Sequence, residues 1–229
     1  MTKIIHPSYP TKLPSTGQLV TFRPFTVKEE KSLLLALQES SMESIILAIK
    51  NVILVCTDGQ VDPDKVPYYD CEYLFLQIRS KSVGEVIEFM GSCLCSDKVK
   101  TEFSVDITEL VVEPAPSGNK TFIIPDTDYT MEIGHPSIAD FSKTFGTTDD
   151  NSTEVVANCI KSVYTADEVL NWSFKEKMEF VESMTPKQQK DISVFLEEMP
   201  MVKMKSQYTC IGCKKVHDVV VSGFESFFV

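Results

Sequence analysis

Two short cysteine turns, more than a hundred residues apart, limit what this chain can fold into more than any other feature. They are Cys93-Leu-Cys95 and Cys210-Ile-Gly-Cys213. Each lies between two strand-like segments. Each is followed by a Lys-Val step, Lys98-Val99 and Lys215-Val216, and then by an alternating apolar run: Phe103, Val105 and Ile107 after the first, Val219 and Val221 after the second. The pattern is that of one cysteine hairpin used twice. Two such hairpins facing each other present four thiolates to a tetrahedral Zn²⁺, the arrangement of a zinc ribbon. Zinc is borderline soft and has no redox chemistry, so it would act there as a structural staple.

Other readings of the same residues stay open. The first pair is C-x-C, tighter than the usual C-x₂-C, and the separation of the halves exceeds that of a short ribbon. His217 offers a substitute ligand at C-x₂-C-x₃-H. The four thiols also read as plain buried side chains or as a redox pair, although a thioredoxin-type pair opens a helix after a strand and these sit in hairpin turns. The total of seven cysteines is odd, and the N-terminus has neither the apolar stretch nor the cleavage site of a signal peptide. Both facts argue against a disulfide framework and for a protein that stays in a cytoplasm. Cys56, Cys71 and Cys159 stand singly in apolar patterns and read as small buried hydrophobes.

Along the chain, helical and strand-like segments are segregated, which predicts an α+β fold. Residues 1–19, with Pro7, Pro10 and Pro14, read as an extended arm, and residues 20–82 as a helical unit. The unit starts from a short strand, Leu19 to Phe22, and a capping box at Thr26-Val-Lys-Glu29. Leu33, Leu34 and Leu37 supply an apolar stripe; a second helix covers Met42 to Val55, and a third follows Pro67 and Asp70. Residues 83–135 read as β-rich and hold the first cysteine pair. Strands are expected at Val86 to Met90, Phe103 to Val112, Thr121 to Ile124 and Tyr129 to Ile133. Residues 136–200 form a second helical segment, clearest at Thr153 to Val163, Phe174 to Met184 and after the capping box Thr185-Pro-Lys-Gln188. Residues 201–229 carry the second cysteine hairpin, with strands Met201 to Thr209 and Val216 to Val221, and an aromatic tail.

Charge and motifs then exclude function classes. The net charge is −11, and Arg23 and Arg79 are the only arginines, so a nucleic acid would be repelled. No apolar run is long enough for a membrane span. His6 lies in the arm, His135 in a Gly-His-Pro turn and His217 beside the cysteines, none of them next to a motif-level nucleophile or acid. No zinc-protease, dinucleotide, phosphate-loop or nucleophile-elbow signature occurs. Asp58, Asp62 and Asp64 lack calcium-loop spacing and read as a solvated loop. The remaining class is a non-enzymatic protein that binds other proteins.

Four segments carry a resemblance that spans nearly the whole chain in order. They are Phe22-Arg-Pro-Phe-Thr-Val-Lys-Glu-Glu-Lys31, Tyr73-Leu-Phe-Leu-Gln-Ile-Arg-Ser-Lys-Ser-Val-Gly84, the Phe180 to Pro200 helix, and the ending from Tyr208-Thr-Cys-Ile-Gly-Cys213 to Gly223-Phe-Glu-Ser-Phe-Phe228. Together they resemble the baseplate hub-assembly protein family of T4-like contractile-tailed bacteriophages. The resemblance implies a tail protein that takes part in building the baseplate hub, as a component or an assembly factor. Its partners would be other hub or tail proteins, met in the host cytoplasm or in the virion tail. Phe224, Phe227 and Phe228 have the spacing of a docking face for such a partner. A zinc-ribbon adaptor of a transcription or replication complex is the alternative function.

Overall fold

The computed structural model describes residues 4–39, 41–140 and 152–223, with the side chains of residues 96–98 and 152 left aside. The fold is α+β, with helices and several small antiparallel sheets. The described residues fall into two compact units, one drawn from 1–62, 69–113 and 201–229, the other from 63–68 and 114–200.

The first unit opens with β1 (Tyr9–Lys12) and β2 (Leu19–Phe22), an antiparallel ribbon with Pro10 opposite Thr21. A two-stranded ribbon tolerates the missing proline N–H, so the arm read at residues 1–19 contributes a strand. Helices α1 (Val27–Glu39) and α2 (Met42–Cys56) follow. Leu33 and Ala36 are the apolar residues that α1 buries, while Leu34 is 54% exposed, so the inward face differs from the stripe expected at Leu33, Leu34 and Leu37. At the α1 start, Glu29 accepts from both the Thr26 N–H (2.7 Å) and the Thr26 hydroxyl (2.5 Å). Burial raises the Glu29 pKa, but these two bonds and the Arg23 guanidinium outweigh it and hold the carboxyl at about 2. After α2, Asp58 and Gly59 take left-handed φ values of 52° and 72° and turn the chain.

Helix α3 (Tyr68–Ser82) is buried on nearly all sides, with Leu74, Phe75, Leu76 and Ile78 inside together with the polar Asp70 and Glu72, which marks a core helix rather than a surface one. Its buried Asp70 accepts from the Ser15 N–H (2.9 Å) and hydroxyl, tying the arm to the helix. The hairpin β3 (Val86–Cys93) and β4 (Ser96–Asp106) comes next, then a 3₁₀ turn (Ile107–Glu109) and β5 (Val111–Glu113). The expected strand Phe103 to Val112 is thus two strands in two sheets: Asp106 caps the turn through the Thr108 N–H, and β5 pairs with Met201, Val202 and Lys203 instead. Strands β10 (Met201–Thr209) and β11 (Val216–Val221) complete the sheet β11-β10-β5. Leu76, Ile87, Val105, Ile107, Val202, Met204 and Val221 form its core.

The second unit is the sheet β6-β7-β8-β9, with β6 (Lys120–Ile123), β7 (Thr130–Ile133), β8 (Ile160–Tyr164) and β9 (Val169–Leu170), and the helices α4 (Ser152–Cys159), α5 (Phe174–Ser183) and α6 (Pro186–Glu197). The helix expected over Thr153 to Val163 therefore ends at Cys159, where the chain enters the sheet. Complete capping boxes start α5 at Ser173 and Glu176 and α6 at Thr185 and Gln188. Trp172 stands in an aromatic group with Tyr129 (5.7 Å) and Phe180 (4.8 Å), packed on this unit's core.

Candidate metal centre

Period-two alternation aims one cysteine of each pair inward. On β3 the buried positions are Ile87, Gly91 and Cys93, and on β10 they are Val202, Met204 and Tyr208, with Cys210 next in phase and also buried. The partner cysteines, Cys95 and Cys213, lie in the turns and are exposed. In the first hairpin, Cys93 pairs with Ser96 and the register shifts at Ser92/Cys93, so Leu94 and Cys95 make a two-residue loop beside a bulge. In the second, the Cys210 N–H donates to Lys215 O (2.9 Å) and the Lys214 N–H to Cys210 O (3.0 Å). Lys214 adopts φ 61° to close that knuckle.

The hairpins meet through their inward faces. The Tyr208 hydroxyl donates to Ser92 O (2.5 Å), the Ile211 N–H to Thr101 Oγ1 (3.2 Å) and the Ser206 hydroxyl to Ser104 O (3.1 Å). Gly91 leaves room for the Tyr208 ring, since a Cβ there would sit 2.5–2.9 Å from three ring carbons. Four rings then stack in sequence: Phe89 on Phe103 (5.5 Å), Phe103 on Tyr208 (5.2 Å) and Tyr208 on His217 (4.9 Å). This column escaped the sequence reading. Its four side chains come from four strands of two sheets, a juxtaposition that spacing along the chain does not display.

The result is a cluster of Cys93, Cys95, Cys210 and Cys213 with all four sulfurs within 4.8 Å of one another. Cys93 and Cys213 are 3.7 Å apart, Cys95 and Cys210 3.6 Å. A tetrahedral site with metal–sulfur bonds of ~2.3 Å requires sulfurs about 3.8 Å apart, whereas a disulfide needs about 2.0 Å. The spacing therefore suits a metal held between the hairpins, and all seven cysteines are free thiols. The Cys213 and Gly212 N–H groups donate to Cys210 and lower its thiol to about 6 against the effect of burial. The neighbouring thiols of Cys93, Cys210 and Cys213 push Cys95 up to about 12. A divalent metal held there would ionise all four thiols.

His217 is not part of the four-sulfur cluster. It ends the aromatic column, opposite Tyr208 in the β10–β11 ladder, with Nε2 buried and without a hydrogen-bond partner among the described residues. Cys56, Cys71 and Cys159 are buried elsewhere, and burial raises the thiols of Cys56 and Cys159. Phe224, Phe227 and Phe228 lie outside the described residues. Among the described residues no helix is long and apolar enough to cross a membrane.

Residues 6–229 match the family model described as T4 bacteriophage base plate protein. No curated protein and no solved structure matches the chain.

Proposed function

Because the chain belongs to the T4 bacteriophage base plate protein family, we propose that it is a non-enzymatic tail protein that takes part in assembling the baseplate hub, with Zn²⁺ as a structural staple between its two cysteine hairpins. The family match over essentially the whole chain supports a base plate tail protein, and the hub is the refinement proposed here from the four sequence segments that resemble the hub-assembly family. The four sulfurs at tetrahedral spacing, from two hairpins with no other covalent link, support the staple. A closed four-thiolate site leaves no open position for a substrate, so zinc here holds the fold and does no chemistry. The partners are other tail proteins, met in the host cytoplasm during assembly. Phe224, Phe227 and Phe228 are the candidate contact, since three phenylalanines in the last six residues need cover from somewhere.

The hub role is tested by deleting the gene and examining tail intermediates beside quantitative mass spectrometry of wild-type intermediates and virions. The expected result is that wedges accumulate without hubs and that the protein travels with hub intermediates. Normal hubs in the deletion would overturn the reading. Removing residues 224–229 should leave the melting temperature of the isolated protein unchanged and stop its entry into intermediates. A lowered melting temperature would instead place the tail on this protein's own core.

A further inference from the structure

We infer that the outer face of the α1–α2 hairpin is the docking site for a second copy of this chain, turned end for end across a two-fold axis. The two helices are joined by residues 40–41 alone and pack side by side. Their inward positions, Leu33 on α1 and Ile46, Ile49 and Ile53 on α2, are buried. Their outward side leaves a groove between them, lined by Leu35 and Leu47 beside the smaller Ser32, Ala36, Ser44 and Ala48. Leu35 is 53% and Leu47 65% exposed, so no described part of the chain covers them. Surface leucines scattered singly need no explanation, but two on one groove mark a contact surface.

The groove is its own complement in shape. Each helix gives it a leucine next to an alanine, Leu35-Ala36 on α1 and Leu47-Ala48 on α2, with polar residues a turn away on either side. A second copy can therefore seat its leucines over the first copy's alanines while receiving the first copy's leucines over its own. That reciprocity is what a two-fold interface demands, and two hairpins joined so make a four-helix bundle. Charge selects the direction. Lys28 stands at helical spacing on the same α1 stripe as Ser32, Leu35 and Glu39, at the end of the groove away from the 40–41 link. Glu39 and Glu43 flank the link at the other end. All three charged groups are exposed, and none is in an ion pair among the described residues. A two-fold axis along the helices would lay the acidic end of one copy on the acidic end of the other. An axis across the helices lays Glu39 of each copy over Ser32 and Lys28 of the other, and so joins opposite charges twice.

The experiment is sedimentation velocity on the full chain from about 1 µM to about 100 µM, a span that covers interfaces of only micromolar affinity. Reductant is present, so that the exposed Cys95 and Cys213 do not crosslink the copies. Wild type should pass from the mass of one chain to twice that mass as concentration rises. L35E/L47E, which changes two exposed positions and should keep its helix dichroism, should associate roughly a thousandfold more weakly and stay monomeric. K28E and E39K, each alone, turn both opposite-charge contacts into like-charge ones and should weaken the dimer about tenfold. An equimolar mixture of K28E with E39K should associate as wild type does, because every contact between unlike copies again joins opposite charges. That mixture also decides the matter if the leucine variant fails to fold. A wild type that stays monomeric, a dimer indifferent to folded L35E/L47E, or a mixture no tighter than its components overturns the inference.

Discussion

Two residues show how much of this molecule depends on a single atom or proton. Gly91 exists to admit the Tyr208 ring, and a methyl group there has no free space. Gly91→Ala should destabilise the protein by about 1–3 kcal/mol through overpacking, measurable as a lower urea midpoint at unchanged slope. Glu72 is fully buried and accepts from the Val202 N–H (3.2 Å) and the Gly223 N–H (2.8 Å). The last rung of the β10–β11 ladder is Met204 with Val221, and the same register would set Lys203 opposite Ser222 and then Val202 opposite Gly223. The carboxylate takes that place, so it works as a wedge that ends the ladder and sends the chain off the sheet. Burial raises its pKa to about 7 in spite of both bonds. The folded state thus keeps a proton that the unfolded state releases near 4.5. That stabilisation is complete below the unfolded value and is lost as pH rises through 7, on the order of 3 kcal/mol in all. Glu72→Gln should remove the slope between about pH 5 and pH 8, within the titration range of this group. Identical pH–stability curves for the two proteins would refute the wedge's titration.

At the scale of elements, the ends of helices are the simplest places to intervene. Ser173→Ala and Thr185→Ala each remove the hydroxyl of a complete capping box and should each cost about 1 kcal/mol, read by chemical denaturation. The Thr185 box was legible in the sequence because Pro186 and Gln188 announce it, and so were β10 and β11, two strand-like runs on either side of a cysteine turn. The stretch from Thr153 to Val163 was not. Val155, Val156, Ile160 and Val163 satisfy a helical period, and only the pairing of β8 with β7, Met131 opposite Val163, decides that its second half is a strand. Long-range partners decide such cases, and one sequence does not display them. The same limit hid Tyr9–Lys12, whose proline disguises a strand until β2 is seen beside it. The cysteines were the converse case. Their repeated turn gave the pairing away, while the aromatic column that sets the two hairpins face to face rests on side chains from four strands and could not be read from spacing.

The whole molecule divides its structural resources unequally. The four-cysteine cluster belongs entirely to the first unit, where it brings together hairpins 115 to 120 residues apart in sequence. Closing so long a loop should matter to stability in the way a crosslink does, so strong chelation should lower the first unit's melting point and release zinc. Elemental analysis of protein purified without added metal checks the ion, and melting unchanged in chelator would end the staple. The second unit has its own apolar core and contains Trp172, the single tryptophan of the chain. Zinc has a filled d shell and no colour. The consequence is optical. Indole emission, the commonest monitor of unfolding, will report on the unit that lacks the four-cysteine cluster and will be blind to the unit that carries it. Metal loss should therefore shift the far-ultraviolet dichroism transition while the emission transition stays where it was, and a laboratory watching fluorescence alone would score a damaged preparation as intact.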